Sequence, residues 1–396
     1  MNATPMEVRN VGILATSQML FLVAAITVMT LSGVVGLELA PDPGLATLPI
    51  AAMAIGTVIS TLPASLYMKR VGRRTGFITG GLVGGVAGGV LSFIGIATGS
   101  FVLFCIGNLL IGVYQGFAMY YRFAAADVAS AAFRSRAISY VLAGGVAAAF
   151  LGPWNASATR GWIAGIPDGG PFLVIAVLAL LGIGLMVFLH VPPAGEPEPG
   201  AHQRPLGHIA RQPAFLVAVL AGAIGYAVMV LLMTATPIAM RMQGFEMSQI
   251  ALIMQGHVLG MFVPSFFTGG LIARFGVGRI LLAGAGMLLA AVAVATSGQM
   301  FAHFWAALVL LGVGWNFLFV GGSALLASTH TEAERGVVQG VNDLIIFSLV
   351  AVGSLLAGAL LHQIGWTLIN LAMLPAILLV IAATLWLRTA RGRTAA

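Results

Sequence analysis

Apolar stretches of about 20 residues follow one another along almost the whole chain, each long enough to cross a bilayer core as a helix. They fall at 12–34, 45–68, 76–97, 101–126, 136–158 and 170–190, then at 214–238, 248–273, 279–297, 302–328, 337–361 and 366–388. Only 7% of the 396 residues are charged, whereas a soluble domain carries about 25%. So few charges cannot cover a water-facing surface, and lipid must be the solvent for most of the chain. The expected fold is therefore an all-α membrane protein with twelve transmembrane helices. No signal-peptide cleavage pattern follows the first stretch, so it reads as a retained helix.

One segment interrupts the series. Residues 191–213, VPPAGEPEPGAHQRPLGHIARQP, are rich in Pro, charge and His and cannot remain helical in lipid. They divide the chain into an N-terminal six-helix bundle, 1–190, a cytoplasmic linker, 191–213, and a C-terminal bundle, 214–396. With both termini cytoplasmic, the inner loops hold fifteen Lys and Arg residues and the outer loops only Arg160 and Arg241. That asymmetry fixes the expected orientation. It also accounts for the net charge of +7 without nucleic acid, because the basic residues sit in short loops rather than in one basic face.

The halves repeat. Arg70-Val71-Gly72-Arg73-Arg74 follows the second span, and Arg274-Phe275-Gly276 with Arg279 follows the eighth. Gly112-Val113 with Phe117 in the fourth span matches Gly312-Val313 with Phe317 in the tenth. Two six-span halves with such a loop resemble the major facilitator superfamily, whose loop motif runs Gly-x-Leu-Ala-Asp-Arg-x-Gly-Arg-Arg. The stretch Ser65–Arg74 keeps the basic and glycine half of that motif. Ser65 and Lys69 stand where the family has its first glycine and its acid. The resemblance implies secondary transport by alternating access. Nothing in the chain reads as an enzyme, and no Gly-rich phosphate loop with a lysine supports ATP-driven pumping. The single cysteine, Cys105, excludes a disulfide within the chain and a paired-thiolate metal site.

The residues most suggestive of chemistry lie in spans seven and eight. Met229 and Met233 share one helix face, and His257 and Met261 share another, each pair spaced i, i+4. Span seven runs outward and span eight inward. At 1.5 Å per residue, Met229 and His257 then lie level, roughly 13 Å below the outer surface, the depth at which secondary transporters bind substrate. Thioethers and imidazole are soft, mostly neutral ligands that select Cu(I) over hard cations. The competing interpretation is packing, since apolar helices use Met as filler and a lone His can be a proton carrier or a hydrogen-bonded core residue.

Met-x-x-x-Met followed by His-x-x-x-Met resembles the signature of the CcoA-type copper importers, a branch of the same superfamily. That resemblance implies copper import across the bacterial inner membrane for assembly of cbb3-type cytochrome c oxidase, with Met229, Met233, His257 and Met261 as copper ligands. It implies copper, free or as a small complex, as the transported substrate rather than a cofactor. It also implies a monomer that hands its cargo to a downstream copper chaperone. The repeat offset of 204 takes Met233 to Met29 and His257 to Met53, which adds both as weaker ligand candidates.

Arg122 and Asp127, at the inner end of span four, are expected to pair with each other or with Asp343 of span eleven, as gating or proton-coupling groups. Tyr114, Gln115, Tyr120, Tyr121, Trp315 and Asn316 are candidate cavity-lining residues, and His190, His202 and His208 are candidate metal-capture residues near the linker. Two other functions stay open. Gly152-Pro153 in span five resembles part of an antiporter motif and fits a proton-coupled exporter or carrier of a drug or a riboflavin-like metabolite. The other is a copper-binding assembly factor or sensor that moves nothing, which the sequence does not exclude.

Overall fold

The computed structural model describes residues 4–130, 133–191, 204–331 and 334–394. The architecture is helical: α1 Pro5–Leu39, α2 Leu48–Val71, α3 Arg73–Gly80, α4 Ala87–Ala97, α5 Phe101–Ala118, α6 Tyr121–Asp127, α7 Arg134–Ala158 and α8 Gly169–Met186. After the linker come α9 Leu206–Ala210, α10 Pro213–Met242, α11 Met247–Phe262, α12 Ser265–Phe275, α13 Val277–Ser297, α14 Phe301–Ala327, α15 Arg335–Leu371 and α16 Leu374–Thr394. A π-helical stretch, Gly81–Val86, joins α3 to α4 into one span, Arg73–Ala97.

Ten helical segments among the described residues are long and apolar enough to cross a membrane. The tenth, Val337–Thr389, has 53 residues, or roughly 80 Å of helix against a core of about 30 Å. It breaks at Gly365, whose φ is 74°, and so supplies two passes. The 25-residue α7 is a further helix of spanning length.

Helix ends follow local chemistry. Thr4 and Glu7 form a reciprocal capping box that starts α1, and the Ser100 hydroxyl accepts from Leu103 N to start α5. Gly72 separates α2 from α3 at φ 85°, ψ 156°. Gly276 separates α12 from α13 at φ 83°, ψ 149°. This backbone region is open essentially only to glycine, and the same turn therefore closes the repeated loop motif in both halves.

Contacts group the chain into two compact units. The first comprises Met1–Glu196 with Pro237–Gln255, and the second Pro197–Thr236 with Gly256–Ala396. Segment 237–255, which the sequence division gives to the C-terminal half, thus groups with the first unit. Ile238 Cδ1 lies 3.2 Å from where a β-carbon would stand on Gly33.

Within the first unit α2 packs along α5, α1 along α7, and α4 against α5 and α8. Within the second, α13 packs along α14 and against α16. Lipid supplies no hydrophobic force between helices, so close backbone approach through small residues carries the packing. A β-carbon on Gly112 would stand 1.9 Å from Met53 O, and one on Gly312 would stand 2.5 Å from His257 O. Those two contacts are the same contact in the two halves. They reproduce the offsets of 200 and 204 residues from packing alone.

Candidate functional site

All four ligand candidates belong to the second unit: Met229 and Met233 on α10, His257 and Met261 on α11. His257 is 0% exposed and Met261 8%, and both α10 methionines are buried. Burial of the thioethers has little cost in the empty state, since sulfur is a weak acceptor. The imidazole is different, because each ring nitrogen needs a partner in lipid.

His257 Nδ1 lies 2.7 Å from Leu308 O. A carbonyl only accepts, so Nδ1 carries the proton and donates it. The neutral ring then presents a bare lone pair at Nε2. That atom is buried with no hydrogen-bond partner among the described residues. A metal-binding histidine shows this arrangement, with its second nitrogen oriented by a backbone carbonyl. That nitrogen is therefore open to a soft Lewis acid.

The support comes from α14. Leu308, Gly312 and Asn316 recur every four residues and occupy one face. Leu308 O holds His257, and Gly312 lets α14 approach the backbone of His257, Gly260 and Met261. Asn316 Nδ2 donates to Met261 O at 2.7 Å. The role of Leu308 left no trace in the sequence, because it acts through its backbone. Asn316 stood out as an intramembrane amide, yet it is fully buried and hydrogen-bonded. It is a structural clamp, not an open cavity wall.

Met53 is buried and Met29 half-buried, both in the first unit. Thr57 Oγ1 donates to Met53 O at 3.0 Å and Gly112 O at 3.1 Å. One expectation about charge requires correction. Asp127 pairs with Arg73 of the loop motif at 2.6 Å and not with Arg122. Residues five apart on a helix point about 140° apart, which turns the two side chains of α6 away from each other. Arg122 instead lies over the Phe123 ring, 4.8 Å from its centre, with Nε buried and unpartnered among the described residues. Asp343, in the second unit, accepts from Asn342 Nδ2 at 3.1 Å.

Tyr114 and Tyr121 are core residues, packed edge-on against Phe21 and Phe77. Tyr120 donates its hydroxyl to Thr61 O. His190 is engaged by Arg9 and by both ends of the Asn10 amide, His208 is on the five-residue α9, and His202 lies outside the described residues. Gly152 and Pro153 sit where α7 meets α1: Thr27 Oγ1 donates to Gly152 O at 3.2 Å. That stretch is a packing seam within the first unit.

Two further features bear on ligands. A cavity of about 520 Å³ in the first unit is lined by Ser157, Arg160, Arg241, Glu246 and Ser248 among others. Arg160 there is ion-paired with buried Asp168, which raises the guanidinium pKa. In the second unit Trp315 and Phe319 stack with centroids 5.0 Å apart and planes 9° apart, and Tyr226 stands edge-on to both. Trp315 Nε1 is buried without a partner among the described residues.

The family model described as Major Facilitator Superfamily matches residues 13–254 and 219–396. A riboflavin transporter, RfnT, of Brucella anthropi is 42% identical over 375 residues, which cover 94% of each chain. An uncharacterized transporter of the same type, YdeG of Bacillus subtilis, is 28% identical over 92% of this chain and 88% of its own. Among solved structures, a bacterial homologue of the human lysosomal transporter Spinster aligns with a TM-score of 0.71 at 15% identity, covering 97% of both chains. The human organic anion transporter MFSD10 aligns with a TM-score of 0.67 at 16% identity over 96% of this chain and all of its own. These structures share the fold.

Proposed function

The chain belongs to the Major Facilitator Superfamily and is a multi-pass secondary transporter, and on that premise we propose that its cargo is copper, carried as Cu(I). Met229, Met233, His257 and Met261 are the proposed ligands. The observation that carries this reading is His257: a fully buried imidazole whose Nδ1–H is committed to Leu308 O and whose Nε2 lone pair has no partner among the described residues. Together with three buried thioethers in the same unit, that lone pair makes a neutral, soft donor set suited to a soft monovalent ion. The charge asymmetry of the loops supports cytoplasmic termini. The sequence resemblance supports import across a bacterial inner membrane toward cbb3-type oxidase assembly.

A second reading has its own support. The 42%-identical relative is named a riboflavin transporter, and the Trp315–Phe319 stack with Tyr226 offers an aromatic platform of the kind that flat ring systems contact. One experiment separates the readings. The purified protein in proteoliposomes is given radiolabelled Cu(I) in one arm and radiolabelled riboflavin in the other. Time-dependent copper accumulation that His257→Ala and Met233→Ala abolish supports copper. Riboflavin accumulation with no copper uptake overturns it. A stoichiometric copper plateau without accumulation makes the protein a binder and not a carrier.

A further inference from the structure

The helix that carries His257 and Met261 stops one residue after Met261. α11 ends at Phe262, α12 begins at Ser265, and Pro264 stands between them. Proline brings no N–H, so the ladder is interrupted in the middle of a span, where unsatisfied carbonyls are costly. Phe267 N and Thr268 N start the new helix by donating to Pro264 O.

One side chain bridges the gap. Asn316 of α14 donates from Nδ2 to Met261 O at 2.7 Å and to Ser265 Oγ at 2.6 Å. Its Oδ1 accepts from Thr268 Oγ1 at 2.7 Å. The amide thus grips the last turn of α11 with one bond and the first turn of α12 with two.

The internal repeat indicates that this clamp is not a requirement of the fold. An offset of 204 sets Met53, Thr57 and Ser60 of α2 opposite His257, Met261 and Pro264, and an offset of 200 sets Gly116 of α5 opposite Asn316. In the first unit α2 runs unbroken through these positions, with Pro63 inside the helix, and Gly116 packs directly on Ser60. The break, His257, Met261 and the amide therefore occur together in one copy, where the other has Met53, Thr57 and Gly116.

We propose that Asn316 is a positioning residue of the cargo site, holding the Met261 backbone so that the thioether keeps a fixed place beside His257 across the interruption at Pro264. This rests on the copper reading above. Leu308 fixes the imidazole and Asn316 fixes the methionine, from one face of one helix. The donor pair is then referenced to α14.

The test uses full-length protein in nanodiscs. Cu(I) affinity is measured by competition with a chromogenic Cu(I) chelator, and the sulfur count at copper by X-ray absorption. Asn316→Leu is expected to weaken binding by about ten- to hundredfold, the scale of one lost buried hydrogen-bond partner, and to remove one sulfur from the copper shell. Met261→Ala should remove the same sulfur, and Asn316→Leu added to it should cost little more, since both act through one ligand. Asn316→Gln, which keeps the amide but shifts it, is measured in the same way should the leucine variant fail to fold. Wild-type affinity and sulfur count in a folded variant overturns the proposal, as does an undiminished effect of Asn316→Leu in the Met261→Ala background. If the wild-type protein binds no Cu(I), the copper reading itself falls, a result distinct from a failure of Asn316 alone.

Discussion

A methyl group added to Gly312 asks whether α14 holds the His257 face in place. The β-carbon of Gly312→Ala would stand 2.5 Å from His257 O and 3.0 Å from both Gly260 C and Met261 N. All three are backbone atoms and cannot rotate aside. Ordinary contact begins at 3.4 Å, so α11 and α14 must part by about 0.9 Å at this level, because a close-packed interior has no slack to absorb the atom. Carried one turn along, that movement stretches the Nδ1–O distance to Leu308 from 2.7 Å to about 3.6 Å, beyond hydrogen-bond reach. Leaving a buried donor and acceptor unmatched costs about 1–3 kcal/mol. If the binding site bears that cost, Cu(I) affinity falls about ten- to hundredfold. The assay is chelator competition on purified protein, beside a thermal unfolding curve that reports the folded fraction. Gly112→Ala is the control: its β-carbon would meet Met53 O at 1.9 Å, so it should lower the melting temperature while sparing Cu(I) affinity per folded molecule. A folded Gly312→Ala protein with wild-type affinity would refute the idea that this contact sets the imidazole.

Other outcomes follow from the same geometry. Gly72→Ala and Gly276→Ala each force a side chain into backbone near φ +85°, and each should destabilise by about 1–3 kcal/mol. The double variant should show the sum in chemical unfolding, since each acts on its own turn. Asp127→Asn removes a half-exposed bridge to Arg73 and should lower stability by less than about 1 kcal/mol. A larger drop in unfolding free energy would mean that the loop bridge bears more than its exposure suggests. Glu334, outside the spans, accepts from the Arg204 side chain and from Thr331 N, which hold its carboxyl well below 4.5, its ordinary value. A depressed pKa stabilises the fold above that ordinary value and loses the effect as pH falls through the folded one. Glu334→Gln should therefore melt below the wild type at pH 7, and the gap should narrow below about pH 4.5. An equal gap at pH 7 and pH 3 contradicts the assignment.

The fold was legible because its causes are local and repeated. Apolar length marks each span, and Gly72 and Gly276 mark one turn twice. The site was half legible. The four candidate ligands stand out by residue type and by i, i+4 spacing. Leu308 does not, because a backbone carbonyl leaves no signature in side-chain chemistry. The pairing of Asp127 with Arg73 was missed for a related reason: the two residues are 54 apart in sequence, and only the fold brings the α2–α3 turn beside the end of α6. Tyr114 and Tyr121 looked like lining because polar hydroxyls in a span draw attention, yet their rings are buried in packing.

The repeat separates what holds the scaffold from what serves the cargo. A group needed only for helix packing should recur in both copies, and Gly112 with Gly312 does so, against Met53 O and His257 O. Beside Met53, the Thr57 hydroxyl donates within its own helix and to Gly112 O, so the polar groups there satisfy one another. Beside His257, the equivalent position is Met261, and the imidazole is left with a lone pair that no described residue answers. An unanswered nitrogen buried in lipid leaves its desolvation uncompensated, at His257 as at Arg122 Nε and Trp315 Nε1. The departure from symmetry at Met53/His257, Thr57/Met261 and Gly116/Asn316 coincides with the proposed ligands and their clamp.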